Sequence, residues 1–175
     1  MTTESSGFIA PKFDADQGRK LALICSKGTL DMAYPGLIIG NGAAQEGIEV
    51  HLFFTFWGLD IIRRKTIHKL TVTPVGNTAM RMGSTSLAMP QLVGMLPGMS
   101  SIASWMMRGK IKGLNVPPVG EFVTQISEAG GHLWACKMSV DMMKLTKADF
   151  VDEVEDIINV SDFLDLSRDG DIIFI

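Results

Sequence analysis

Apolar and polar positions along this chain fall into short apolar runs separated by stretches with helical spacing, an alternation that predicts an α/β fold. Lys20 to Cys25 (KLALIC) is an apolar run ended by Ser26-Lys27-Gly28, the pattern of a buried parallel strand leading into a turn. Behind it Leu30, Ala33, Leu37, Ile38 and Ala44 recur at helical spacing. Ser26 or Thr29 is available as cap, Asp31 suits the first turn, and Gly47 stops the helix. Ile48 to Phe56 (IEVHLFFTF) predicts a second strand, because β-branched and aromatic residues crowd so short a run. Trp57-Gly58 then turns the chain into LDIIRRK, whose basic end suits a helix C-terminus.

Glu121 to Ala129 predicts a helix stopped by Gly130-Gly131, and His132 to Cys136 (HLWAC) a third strand. A helix follows from about Met138, with Val140, Met142, Met143 and Leu145. Val154 to Val160 and Asp171 to Ile175 (DIIFI) complete the set of strands, with Ser161 capping a short helix between them. Right-handed crossovers then give a three-layer α/β/α sandwich around a mainly parallel sheet of about five strands, a flavodoxin-like arrangement.

An apolar content of 46% in 175 residues supplies one core, so residues 19–175 are expected to form a single domain behind a flexible extension over 1–18. The opening MTTESSGFIAPKF lacks the charged start and apolar stretch of a secretory signal, and the expected location is cytoplasmic. Leu87 to Met107 is long enough to span a bilayer and carries no charge. Pro90, Gly94, Pro97 and Gly98 nevertheless interrupt it and serines dilute it, so it reads as two short amphipathic helices within a Met-rich insertion at about 80–112. Met89, Met95, Met99, Met106 and Met107 would give that insertion an adaptable apolar surface, read as a subunit contact. Peripheral membrane contact is the lesser reading.

The net charge of -3 and a pI near 5.6 offer no clustered basic surface, which speaks against nucleic acid as a partner. Two cysteines without C-x-x-C spacing fit neither a zinc site nor a disulfide scaffold. Both are predicted at carboxyl ends of strands, where open parallel sheets gather functional groups. Cys136 precedes a helix whose free N–H groups, together with Lys137, would favour a thiolate able to attack sulfane sulfur. Equally, a cysteine closing an apolar strand is often a small buried hydrophobe, and this reading stands for Cys136 and more strongly for Cys25.

Gly40-Asn41-Gly42 with Gly47 lies inside a helix, whereas a dinucleotide fingerprint opens one. SKGTLD lacks the lysine spacing of a phosphate loop. No cofactor is therefore expected. His51, His68 and His132 show no ligand spacing and no carboxylate partner, so no metal is expected, and His132 lies at the end of its strand opposite Cys136. Trp57, following a strand's carboxyl end, is either core packing or a wall shielding the crevice that Cys136 enters.

Three stretches, NGAAQEGIEVHLFFTFWGLDIIRR, MPQLVGMLPGM and ACKMSVDMM, resemble the DsrE/DsrF/DsrH-like family, in the branch of its soluble DsrE2- and DsrE3-type proteins. The likeness runs from Lys20 to Ile175. It implies a DsrE-like fold and a carrier, rather than a multiple-turnover enzyme, that accepts sulfur as a persulfide or thiosulfonate on Cys136. It further implies transfer to TusA-like or rhodanese-like proteins, and assembly as a homotrimer or homotetramer. Cys25 matches no catalytic position of the family and enters, with Lys137 and Trp57, as a possible accessory. The alternatives are a non-catalytic oligomeric scaffold or regulatory module of a sulfur-transfer complex, and a nucleotide-binding flavodoxin-like module.

Overall fold

A computed structural model describes residues 18–73, 96 and 98–175. Residues 1–17 of the N-terminal extension, about half of the Met-rich insertion and the first of its two expected helices lie outside the described residues. Five apolar runs become the strands β1 (Lys20–Cys25), β2 (Glu49–Phe54), β3 (His132–Cys136), β4 (Val154–Ile158) and β5 (Asp171–Phe174). All pair in parallel, in the order β4-β3-β2-β1-β5. The chain thus steps from β1 outward to β4 and then returns to the far side of β1, which puts the reversal of strand order between β1 and β5.

Helices α1 (Leu30–Gln45), α2 (Met99–Gly113), α3 (Val119–Glu128), α4 (Lys137–Met142) and α5 (Val160–Leu166) complete the architecture, with a 3-10 segment at Phe56–Ile61 and another at Lys147–Asp149. The Met-rich stretch therefore supplies α2, which extends past Met107 to Gly113. LDIIRRK, expected to end a helix, instead closes the 3-10 segment and continues as turns. Among the described residues no helix is long and apolar enough to cross a membrane.

The period of two along each strand divides the core between the sheet's faces. Leu23, Cys25, Leu52, Phe54, Leu133 and Ala135 face α1 and α3, whose Leu30, Ala33, Leu37, Phe122, Val123 and Ile126 complete the larger cluster. Gly36 and Gly40, one turn apart on α1, let that helix lie close to the sheet. A Cβ on Gly36 would come within 2.8 Å of the Cys25 sulfur, and one on Gly40 within 3.2–3.3 Å of Leu52 and Leu23. The opposite face is thinner, with Ala22, Phe53 and Cys136 packing against Phe163 of α5. Phe163 stacks on Phe53 with centroids 4.5 Å apart, contributing about 1.5–3 kcal/mol by burial. Asn159 and Asp162 form the capping box that starts α5.

Candidate functional site

The carboxyl ends of β1 and β2 are clamped backbone to backbone. Gly58 N–H donates to the Ser26 carbonyl at 3.1 Å and Thr55 N–H to the Cys25 carbonyl at 3.0 Å. A Cβ on Gly58 would stand 2.0 Å from the Cys25 oxygen, and one on Gly28 2.1 Å from the Trp57 oxygen, so glycine is required at both close approaches. Phe56 adopts φ 47°, a left-handed conformation rare for an aromatic residue. It is held there by its N–H, which donates to Ser139 Oγ at 2.8 Å.

Cys136 ends β3 and immediately precedes α4. The sequence suggests a thiolate open to the crevice, but the structure leaves the residue 2% exposed among Ala22, Phe53 and Phe163, with Ile24, Trp134 and Ile158 at the margin. The cause is α5, which crosses this face and lays Phe163 over it. Phe56, just past the end of the neighbouring β2, and Met138 and Met142, on the helix that follows Cys136, are exposed. The helix expected to stabilise an anion is short, with six residues from Lys137 to Met142, so its dipole is small. Lys137 does not serve the sulfur either, since its Nζ donates to both carboxylate oxygens of Asp141 at 2.9 and 3.0 Å on the solvent side.

Cys25 and Cys136 do not meet. Cys25 pairs with Phe54 and Phe54 with Ala135, so those three share one face and Cys136, a residue further on, points to the other. Two strand spacings separate β1 from β3, about 9–10 Å, beyond the Cα separation of a disulfide. Burial against α1 pushes the Cys25 thiol up to about 12, which keeps it protonated. Cys25 also stands beside the strand-order reversal, whereas Cys136 lies two strands away from it.

Trp57 is exposed and walls a cleft of about 310 Å³ with Lys27, Gly28, Thr29, Asp60 and Thr71. Cys136 does not line that cleft, so the shield expected of Trp57 forms over another space.

The histidines are not as isolated as the sequence suggests. On the second face His51 and His132 stack across β2 and β3 with centroids 4.9 Å apart, and Trp134 continues the array. Trp134 Nε1–H donates to His51 Nδ1 at 3.2 Å, so His51 carries its proton on Nε2 and donates it to Glu49 at 2.8 Å. His132 pairs with Glu155. Burial holds the His51 pKa below the ordinary imidazole range, against the pull of Glu49. His132 opens the five-residue strand that Cys136 closes, about 13 Å away, too far to act as its base.

Thr55 and Ser139 were singled out by no sequence pattern. Their hydroxyls lie 3.0 Å apart and buried, one just past the end of β2 and the other on α4. A serine three residues after the cysteine was the available signal, and it gains meaning only through the β2–β3 register.

A sequence model of the DsrE/DsrF/DrsH-like family matches residues 17–175. The chain is 38% identical over 155 residues to a protein of Allochromatium vinosum named sulfur carrier protein DsrE2, covering 88% of this chain and 96% of that one. It is 24% identical over 160 residues to the uncharacterized protein YrkE of Bacillus subtilis, covering 90% and 96%. The crystal structure of the ychN protein from E. coli superposes with a TM-score of 0.55 at 8% identity, covering 90% of this chain and 99% of that chain, a likeness of fold.

Proposed function

Because the chain belongs to the DsrE/DsrF/DrsH-like family, we propose that it is a sulfur carrier whose acceptor is Cys136. The observation that carries the choice of residue is the contrast between its two cysteines. Cys25 is held protonated between the sheet and Gly36 of a sixteen-residue helix. Cys136 ends its strand under one seven-residue helix, α5, and the helix that follows it carries exposed Met138 and Met142. In the reaction the Cys136 thiolate attacks the outer sulfur of a donor persulfide R–S–SH. The donor S–S bond breaks, R–S⁻ leaves and Cys136–S–SH forms, so neither oxidant nor reductant is consumed. A thiosulfonate is the other form of cargo. The buried position requires α5 or α4 to give way before a donor or an acceptor thiol reaches the sulfur.

The partners that fit this chemistry are TusA-like or rhodanese-like thiol proteins, in a cytoplasmic setting, with the chain acting as a homo-oligomer. Exposed Ile172 and Phe174 on the edge strand β5, and Trp105 on α2, support self-association. Intact mass after exposure to polysulfide, thiosulfate or tetrathionate tests the carrier, which gains sulfur while a Cys136→Ser variant does not. A second reading, a non-catalytic scaffold of a sulfur-transfer complex, is favoured by the 2% exposure of Cys136. Absence of any adduct on the wild type selects it.

A further inference from the structure

The Thr55 and Ser139 side chains contain two hydroxyl hydrogens and share one hydrogen bond, 3.0 Å long. Ser139 Oγ also accepts the Phe56 N–H. Whichever hydroxyl donates within the pair, one O–H hydrogen is left without an acceptor among the described residues. Ser139 is fully buried and Thr55 is 9% exposed, so water does not readily satisfy it. A buried donor with nothing to bond is an expense that a fold retains for a reason.

Register shows where this donor stands. Phe54 pairs with Ala135 on the first face. Both chains stay extended at the next residue, so carrying the same register one position further sets Thr55 opposite Cys136, on the second face. The Cys136 thiol itself has no hydrogen-bond partner among the described residues, and the buried residues it clusters with, Ala22, Phe53 and Phe163, are apolar. A second sulfur reaches about 2 Å beyond the first. An anion on that outer sulfur would be strongly disfavoured in an apolar setting unless a donor met it. The charged groups on adjoining elements are engaged elsewhere: Lys137 with Asp141 on α4, Asp156 on β4 with the Ile157 N–H, and Asp162 on α5 with the Asn159 N–H.

We propose that the Thr55–Ser139 pair is the built-in hydrogen-bond donor for the outer sulfur carried on Cys136, idle in the empty protein and engaged in the loaded one. The assignment rests on Cys136 being the sulfur acceptor. It differs from a packing role because its effect appears only after loading.

The test loads wild type, Thr55→Val, Thr55→Ser and Ser139→Ala with polysulfide, verifies the adduct by intact mass, and measures the rate of alkylation of the loaded form against pH. The persulfide midpoint in Thr55→Val is expected to rise by about one pH unit, and Thr55→Ser to restore the wild-type value. Ser139→Ala should move in the same direction, and it supplies the comparison if Thr55→Val does not fold. A wild type that takes up no sulfur overturns both the acceptor and this inference. A wild type that loads, with an unshifted midpoint in the hydroxyl-deleted variants, leaves the acceptor standing and overturns the inference alone.

Discussion

Replacing Phe163 by leucine tests whether α5 is the door to Cys136. The phenyl ring is 2% exposed, lies 4.5 Å from Phe53 at an interplanar angle of 19°, and is the α5 side chain buried in the second-face cluster. Leucine keeps the apolar character but removes the aromatic pair, worth about 0.5–1.5 kcal/mol, and leaves a partly filled space. A loss of about 1.4 kcal/mol is the central expectation, and a seven-residue helix has little intrinsic stability to offset it. If α5 opens as a local unit, that loss raises the open population about tenfold, and alkylation of Cys136 by a small reagent at fixed pH accelerates by the same factor. Cys25, on the other face under α1, is the internal control and should not change. Mass-resolved labelling follows both thiols, and urea denaturation reports the global stability. The reasoning is refuted if urea registers the weakening while Cys136 labelling stays within about twofold of wild type, or if both cysteines accelerate together as global unfolding requires.

Gly58→Ala forces a Cβ to within 2.0 Å of the Cys25 carbonyl oxygen and should cost about 3 kcal/mol in urea denaturation, whereas Gly42→Ala on α1, where a Cβ meets nothing, should gain up to about 1 kcal/mol. His51 has a folded-state pKa held below its unfolded value of about 6.5, so its contribution is fully present above that pH. It is lost as the pH falls, because the unfolded chain takes up the proton first. Melting temperature should therefore drop between about pH 7.5 and 5.5 in the wild type, and a His51→Gln variant should flatten that slope. Cys25→Ala should lower stability by about 1 kcal/mol yet load sulfur to the same mass and at the same rate as wild type; a loss of loading would return Cys25 to the chemistry.

Much of the fold was legible because parallel strands covered on both faces must be short and apolar. Lys20–Cys25 and His132–Cys136 are found with the ends that the sequence predicts. Ile48 to Phe56 is trimmed to Glu49–Phe54 because Phe56 turns to positive φ and starts the 3-10 segment. Val154 to Val160 ends at Ile158 because Asn159, rather than Ser161, caps α5 through its bond from the Asp162 N–H. The candidate site was less legible. That both cysteines end strands is a local property, and it was visible. Which face each occupies depends on the pairing Phe54 with Ala135, and the cover over Cys136 depends on where α5 returns. Neither is encoded near the cysteine. The His51–His132–Trp134 array was hidden for the same reason, since its members become neighbours only across strands.

The out-of-phase placement of the two thiols bears on how cargo would leave. A persulfide on residue 136 has no second sulfhydryl within the same chain to collapse onto, because the sheet itself stands between them as a partition. A load held there would not discharge onto its own chain; it would be surrendered upon collision with another molecule, and the timing of delivery would then belong to the recipient.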